Sequence, residues 1–195
     1  MTMFHLVRHA SHGLLGRVLA GRMPELELDE LGRAQAAALA QHFKAQTVAA
    51  IVSSPVQRAI ETAAPIAAAL ALSVQVDPGL EEIDFGHWTG TAFADLAGDP
   101  GWDGWNAARG LASTPGGETM FAAQARAIAA LGALRGRYGD AAVLIVSHAD
   151  IIKAVLAHAL GMPLDLIHRL DIAPASISTL ALGDAHAVVH SLNHP

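Results

Sequence analysis

Four places in this chain carry residue types able to do chemistry on an anion. The first is Arg8-His9, which follows the apolar run Phe4-His5-Leu6-Val7. That run predicts a buried strand, and a strand ending on a guanidinium and an imidazole delivers both to an edge. Arg offers a permanently charged planar fork for phosphate or carboxylate, and a neutral imidazole is a nucleophile near pH 7. Together they suggest anion binding plus attack.

The second place is Arg58, in the first turn of a helix predicted after Ser54-Pro55. A cation there opposes the helix dipole unless it meets an anion, and with the free amides of the helix start it makes a phosphate-receptive corner. Pairing with Glu61 on the same helix surface is the competing use of that side chain. The third is Leu80-Glu81-Glu82-Ile83-Asp84-Phe85-Gly86-His87-Trp88, which sets carboxylates among bulky apolar residues. Such a mixture predicts a carboxyl tucked against apolar walls. Burial raises its pKa, and a carboxyl that keeps its proton at neutral pH is a general acid. A surface turn with solvated acids is the alternative. The fourth is His148, at the rim of the apolar run Ala141–Ser147, which repeats the pattern of the first.

The elements that must position these residues follow from periodicity and punctuation. Strands are predicted at the N-terminus, at Val48–Ser53, at Ser73–Val76 and at Ala141–Ser147, with further strands at Leu166–Leu170, Ser176–Leu182 and Ala187–Leu192. Helices are predicted from Glu30 to about Lys44, capped by Asp29 and turning Leu31, Ala38, Leu39, Ala40 and Phe43 inward, then from Pro55 toward Leu72. Others are expected over Thr91–Leu96, from Glu118 to about Tyr138, and from Ala149 to about Leu160. Between Ser11 and Leu28 lies a long Gly-containing loop with Arg17 and Arg22, and Gly98–Glu118 reads as a Gly- and Trp-rich excursion. Trp102 and Trp105 in it serve either as a lid over a cleft or as packing. In an open α/β sheet ligands collect beyond the carboxyl ends of the strands, where His9 and His148 fall.

Composition narrows the class. At 195 residues the chain fits one domain, 1–195, large enough for a core and a cleft. Hydrophobic residues make up 52% but aromatics only 5%, so the apolar content is mostly Ala, Leu, Val and Ile, pointing to a helix-rich α/β protein. A net charge of −6 argues against a nucleic-acid surface, so any anion site is local, and Arg8, Arg17, Arg22 and Arg58 are the cations to build it. The absence of Cys excludes disulfides and thiolate chemistry. No signal peptide is visible, and the longest uncharged run, Thr62–Val76, is too short to span a bilayer, so a cytoplasmic protein without membrane contact is expected.

Taken in order, Leu6-Val7-Arg8-His9-Ala10, Ser53-Ser54-Pro55 with Arg58-Ala59-Ile60-Glu61-Thr62-Ala63, Leu80–Gly86 with Trp88-Thr89-Gly90, and Val146-Ser147-His148 resemble the histidine phosphatase superfamily, in its phosphoglycerate mutase-like branch. Gly116-Gly117-Glu118-Thr119 is similar to that family's Gly-Gly-Glu-Ser element, and Leu28–Ala36 to its loop-to-helix segment. The resemblance implies a three-layer αβα sandwich with a mostly parallel central sheet. It also implies a metal-independent phosphomonoester phosphatase without cofactor, acting on a small phosphorylated metabolite through phosphohistidine.

By the same resemblance His9 is the nucleophile, Glu82 rather than Glu81 is the proton donor, and Arg8, Arg58 and His148 surround the phosphoryl oxygens. Relatives often carry Trp-Asn after the Arg-His pair; here Ala10-Ser11-His12-Gly13-Leu14-Leu15 follow. Ser11, His12 and Arg22 therefore join the candidate phosphate ligands. Phosphoglycerate mutase activity, a non-catalytic phosphate- or protein-binding module, and a metal hydrolase built on His5, His9 and His12 are the competing functions. A homodimer is the open question of assembly.

Overall fold

The computed structural model describes residues 1–195. Four strands run parallel: β1 (Thr2–Arg8), β2 (Ala50–Ser53), β3 (Val74–Val76) and β4 (Ala142–Ser147). β5 (Ile177–Leu182) and β6 (Ala187–His194) return antiparallel, and the sheet order is β3-β2-β4-β1-β5-β6. Strand alternation sorts the core into two layers. Phe4, Leu6, Val52, Val143 and Ile145 point to one face, where α5 (Met120–Tyr138) and α6 (Ala149–Ala159) pack. Val7, Ile51, Leu144 and Val146 point to the other, against α1 (Glu30–Phe43) and α2 (Gln57–Leu70). Near-continuous apolar strands such as Val143–Val146 are what a sheet covered on both faces requires. The architecture is the expected αβα sandwich with a mostly parallel sheet.

The helices form where apolar residues recur every three or four positions. In α2, Ala59, Thr62, Ala63, Ile66 and Ala67 are buried in one stripe. The cap on α1 is Asp29, whose carboxylate accepts from Gly32 N–H at 2.7 Å. No helix is long and apolar enough to cross a membrane.

Four expectations are corrected. The Gly98–Glu118 excursion contains α4 (Pro100–Ala107), which follows the short α3 (Phe93–Leu96). Asp99 caps α4 by accepting from Trp102 N–H at 2.8 Å, and Pro100 occupies its first turn, so local capping offsets the low propensity of two glycines. Leu166–Leu170 is no strand: residues Leu164–Arg169 form a 3₁₀ helix. In α1, Leu31 and Ala38 face solvent, because the buried stripe runs through Gly32, Ala36, Leu39, Ala40 and Phe43. Finally, Pro55 precedes α2, which starts at Gln57 with Val56 as its cap.

Candidate active site

The carboxyl ends of β1, β2 and β4 are adjacent in the sheet, so the residues that follow them meet. His9 comes directly after β1, and its N–H donates to Ser147 O at 2.8 Å, which ties it to the end of β4. The ring is 3% exposed. Its Nδ1 lies 2.8 Å from the Ala10 carbonyl, which can only accept; Nδ1 therefore carries the proton and Nε2 holds the lone pair. Arg58 Nε donates to that Nε2 at 3.2 Å. The arrangement is fixed from α2: Thr62 Oγ1 accepts from Ala10 N–H at 2.9 Å while donating to the Arg58 carbonyl at 2.7 Å.

Arg58 is 1% exposed and makes its remaining contacts inward. Its Nη2 donates to Gly21 O at 2.7 Å and to His148 Nδ1 at 3.1 Å. With Nδ1 accepting, His148 carries its proton on Nε2 and donates to Ser54 Oγ at 2.8 Å. The rings of His9 and His148 are 5.1 Å apart, and those of His9 and His12 5.4 Å. Arg8 Nη1 donates to Ile172 O at 2.6 Å. Of three guanidinium nitrogens buried without any protein partner, Arg8 Nε and Arg58 Nη1 belong to this cluster and the third is Arg109 Nε. Unpaired buried donors are costly, and two of them on cations beside one imidazole form a receptor for an anion.

Electrostatics set the protonation states. Burial first, then Arg58, holds the pKa of both His9 and His148 well below the usual imidazole range, with Arg8 adding to the effect at each. His12 is lowered to about 4 by burial and the same two arginines. All three are neutral at pH 7. His12 Nδ1 accepts from Leu14 N–H at 3.3 Å, which leaves its Nε2–H free to donate.

Glu82 moves the opposite way. Burial, then the nearby Asp150 carboxylate, raises its pKa to about 7 against the pull of Arg58 and Arg8. Its Oε1 accepts from Ile83 N–H at 2.9 Å, and Oε2 lies 3.8 Å from His148 Nδ1. The segment carrying it is anchored through its backbone. The Glu82 carbonyl accepts from Arg22 Nε at 2.7 Å and from Arg126 Nη2 at 3.1 Å, and Glu118 binds both arginines, at 3.0 and 2.6 Å. Glu118 also accepts from Asp84 N–H at 3.0 Å. Gly86 and Gly117 let the two loops touch. A Cβ on Gly86, whose φ is +54°, would sit 2.1 Å from Pro115 O, and one on Gly117 2.1 Å from Asp84 O.

Of the residues singled out from sequence, Arg8, His9, His12, Arg58 and Glu82 line one cavity of about 400 Å³, within the range of small-molecule sites. His148 stands directly behind them, fully buried. Ser11 and Arg22 are not on the lining. Ser11 donates through its hydroxyl to Asp29 Oδ2 at 3.0 Å and through its N–H to Gln35 Oε1 at 2.9 Å, tying its loop to α1. Arg22 is spent on Glu82 O, Glu118 and Glu81, the last at 3.3 Å, so its part is to anchor the Glu82 segment. Glu61 accepts from Leu28 N–H at 2.8 Å and leaves Arg58 alone. His5 packs edge-on against Phe43 at 5.6 Å, apart from His9 and His12, and no group of three His, Asp or Glu is placed to hold a metal. Trp105 is core; Trp102 is half-buried against Trp88. Sequence reasoning missed Ser54, Thr62 and Asp150. The last stood in plain view, two residues after His148, but read as an ordinary acid at a helix start.

This combination of a mostly parallel sheet and an imidazole set beside two guanidiniums at its strand ends defines a phosphoryl-handling α/β protein. The model of the histidine phosphatase superfamily (branch 1) matches residues 4–195, and the chain belongs to that family. It is 40% identical over 157 residues to the Bifunctional protein Rv2228c of Mycobacterium tuberculosis (strain ATCC 25618 / H37Rv), a match covering 77% of this chain and 42% of that protein. The chain thus spans less than half the length of that relative. It is 30% identical over 192 residues to Phosphoserine phosphatase 1 of Hydrogenobacter thermophilus, covering 96% of this chain and 90% of that one. Among solved structures, mycobacterial glucosyl-3-phosphoglycerate phosphatase Rv2419c superposes with a TM-score of 0.89 at 26% identity, over 99% of each chain.

Proposed function

We propose that residues 1–195 act as one catalytic unit, a metal-independent phosphomonoester phosphatase on a small phosphorylated metabolite. The observation that carries this reading is the His9 tautomer: an Nε2 lone pair held by the buried Arg58, with the half-buried Arg8 nearby and one unpaired donor on each guanidinium. Phosphoryl transfer asks a protein chiefly for positioning and for positive charge on the equatorial oxygens, which Arg8 and Arg58 supply, with the His12 Nε2–H as a further donor. The His9 lone pair attacks phosphorus as the ester P–O bond breaks, and the leaving oxygen takes the Glu82 proton. Water then attacks the phosphohistidine, giving its proton to Glu82, and the N–P bond electrons return to Nε2.

The phosphatase names of the relatives support hydrolysis over mutase chemistry. A non-catalytic binding module would have no use for a carboxyl that keeps its proton near pH 7 beside the anion site. The test is hydrolysis of p-nitrophenyl phosphate by wild type and His9→Ala. Wild type is expected to turn over with chelator present, to be inhibited by vanadate and to yield an acid-labile phosphoenzyme; the variant is expected to do neither turnover nor trapping. Activity that survives in His9→Ala would overturn the mechanism.

A further inference from the structure

Beside the phosphoryl cluster the cavity changes character. Leu15, Val18, Leu19, Phe85 and Phe93 give it an apolar wall, and the one further ionisable side chain on the lining is Asp150. Arg109 holds this carboxylate from behind, donating to Oδ2 at 2.8 Å. Arg109 is itself 4% exposed, lies over the Trp105 ring at 4.8 Å and donates to Asn106, so it stays out of the cavity. Asp150 Oδ1 takes no hydrogen bond from the protein, and the side chain is 20% exposed. Burial works to raise the Asp150 pKa, but Arg109 with Lys153 and His168 together lower it and the group is ionised. Lys153 and His168 also face Asp150 from outside the lining.

The cavity's cations are meanwhile committed. Arg58 holds His9, Arg8 acts on His9 and is itself faced by Glu82, Asp150 and Asp171, and His12 is neutral at pH 7. A carboxylate on the organic part of a substrate would find no free cation on the lining and would meet Asp150 instead; an ammonium or hydroxyl would find an unpaired acceptor. Like-charge juxtaposition of this kind is an effective means of rejecting a ligand.

We infer that Asp150 determines specificity, selecting phosphomonoesters whose organic part carries a hydrogen-bond donor, ammonium above all, and no carboxylate. The inference rests on the phosphatase reading and narrows its substrate class. The experiment compares two small esters that differ in charge, phosphoethanolamine and phosphoglycolate, on wild type and Asp150→Asn. Wild type is expected to favour phosphoethanolamine in kcat/KM by about tenfold or more, and Asp150→Asn to bring the ratio near one. Any change in Glu82 proton affinity acts on both esters and cancels in that ratio. Calorimetric binding of both esters to His9→Ala, with and without Asp150→Asn, reads the same selectivity without turnover. Equal or reversed preference in wild type, or a preference unchanged in Asp150→Asn, would overturn the inference. Failure to hydrolyse p-nitrophenyl phosphate would instead defeat the phosphatase reading and leave the binding arm to decide specificity.

Discussion

Replacing Glu82 by Gln keeps the side chain's shape and its acceptor for Ile83 N–H, and removes only the transferable proton. With a pKa of about 7, the carboxyl is about half protonated at pH 7 and about nine-tenths protonated at pH 6, so wild type carries its acid in the working state on the acidic side of neutrality. General acid catalysis contributes about 10²–10⁴-fold where the leaving group needs the proton. An alkyl phosphate needs it; p-nitrophenyl phosphate, whose leaving group departs as a stabilised anion, hardly does. Glu82→Gln is therefore expected to lower kcat/KM for an alkyl phosphate by about 10²–10⁴-fold and for p-nitrophenyl phosphate by less than about tenfold. Across pH 5–9 the wild-type profile for the alkyl ester is expected to descend through about pH 7 as Glu82 loses its proton, a limb that the Gln variant lacks. The substrate's own ionisation appears in both profiles and cancels in their comparison. An equal loss on the two esters, or a limb at pH 7 that persists in Glu82→Gln, would refute the assignment.

Stability gives an independent reading of the same group. The Glu82 pKa is raised from 4.5 to about 7, so the folded state binds the proton more tightly and wild-type stability falls as pH rises through that window. At 1.36 kcal/mol per pH unit, Glu82→Gln is expected to be more stable than wild type by about 3 kcal/mol at pH 8, and equal to it below about pH 4.5, by urea denaturation. Gly86→Ala forces a Cβ to 2.1 Å from Pro115 O at a φ of +54°, with an expected cost of about 2–5 kcal/mol in Tm-derived stability and loss of turnover as the Glu82 loop shifts. Thr62→Val strips the buried Ala10 N–H of its acceptor, at about 1–3 kcal/mol. Because that bond seats the residue whose carbonyl fixes the His9 tautomer, kcat is expected to fall with Tm; an unchanged kcat would disconnect α2 from the nucleophile.

What was legible in the sequence is what short-range pattern encodes. The runs Phe4–Val7 and Val143–Val146 read as buried strands, and residues just beyond the strands of an open α/β sheet collect where ligands bind, so pattern singled out His9 and His148 while the family resemblance supplied their roles. The direction of long side chains was not legible. Arg22 has the right type for an anion site, yet its guanidinium turns back to the Glu82 carbonyl and Glu118, a choice made by a backbone carbonyl 60 residues and a carboxylate 96 residues further on. Ser11 similarly turns to Asp29. Helix α4 was hidden because Gly101, Gly104 and Trp102 read as irregular chain, while the cap that starts it rests on a single residue, Asp99. The family motif Gly116-Gly117-Glu118 was visible, but the reason for it appears only in three dimensions: two glycines permit loop contact and the acid clamps the cations beneath Glu82.

In the proposed reaction the two arginines would perform opposite services before and after an anion arrives. Alone, Arg8 and Arg58 repel a proton from His9, and burial adds to them, so the imidazole waits neutral with its lone pair on Nε2. A phosphate dianion bound between them would neutralise their charge locally, so that they would no longer oppose positive charge on His9. On the proposed mechanism, the cationic imidazolium character that develops as the N–P bond forms would then be stabilised by the phosphoryl oxygens themselves. Glu82 experiences the reverse: a bound dianion pushes its pKa further up and secures the proton at the moment it is needed. The descending limb should accordingly lie at higher pH in kcat, which reports the complex, than in kcat/KM, which reports the free enzyme, wherever phosphorylation limits the rate. An alkyl phosphate whose two limbs coincide under those conditions would mean that Glu82 does not feel the bound phosphate, and the coupling argued from these distances would fail.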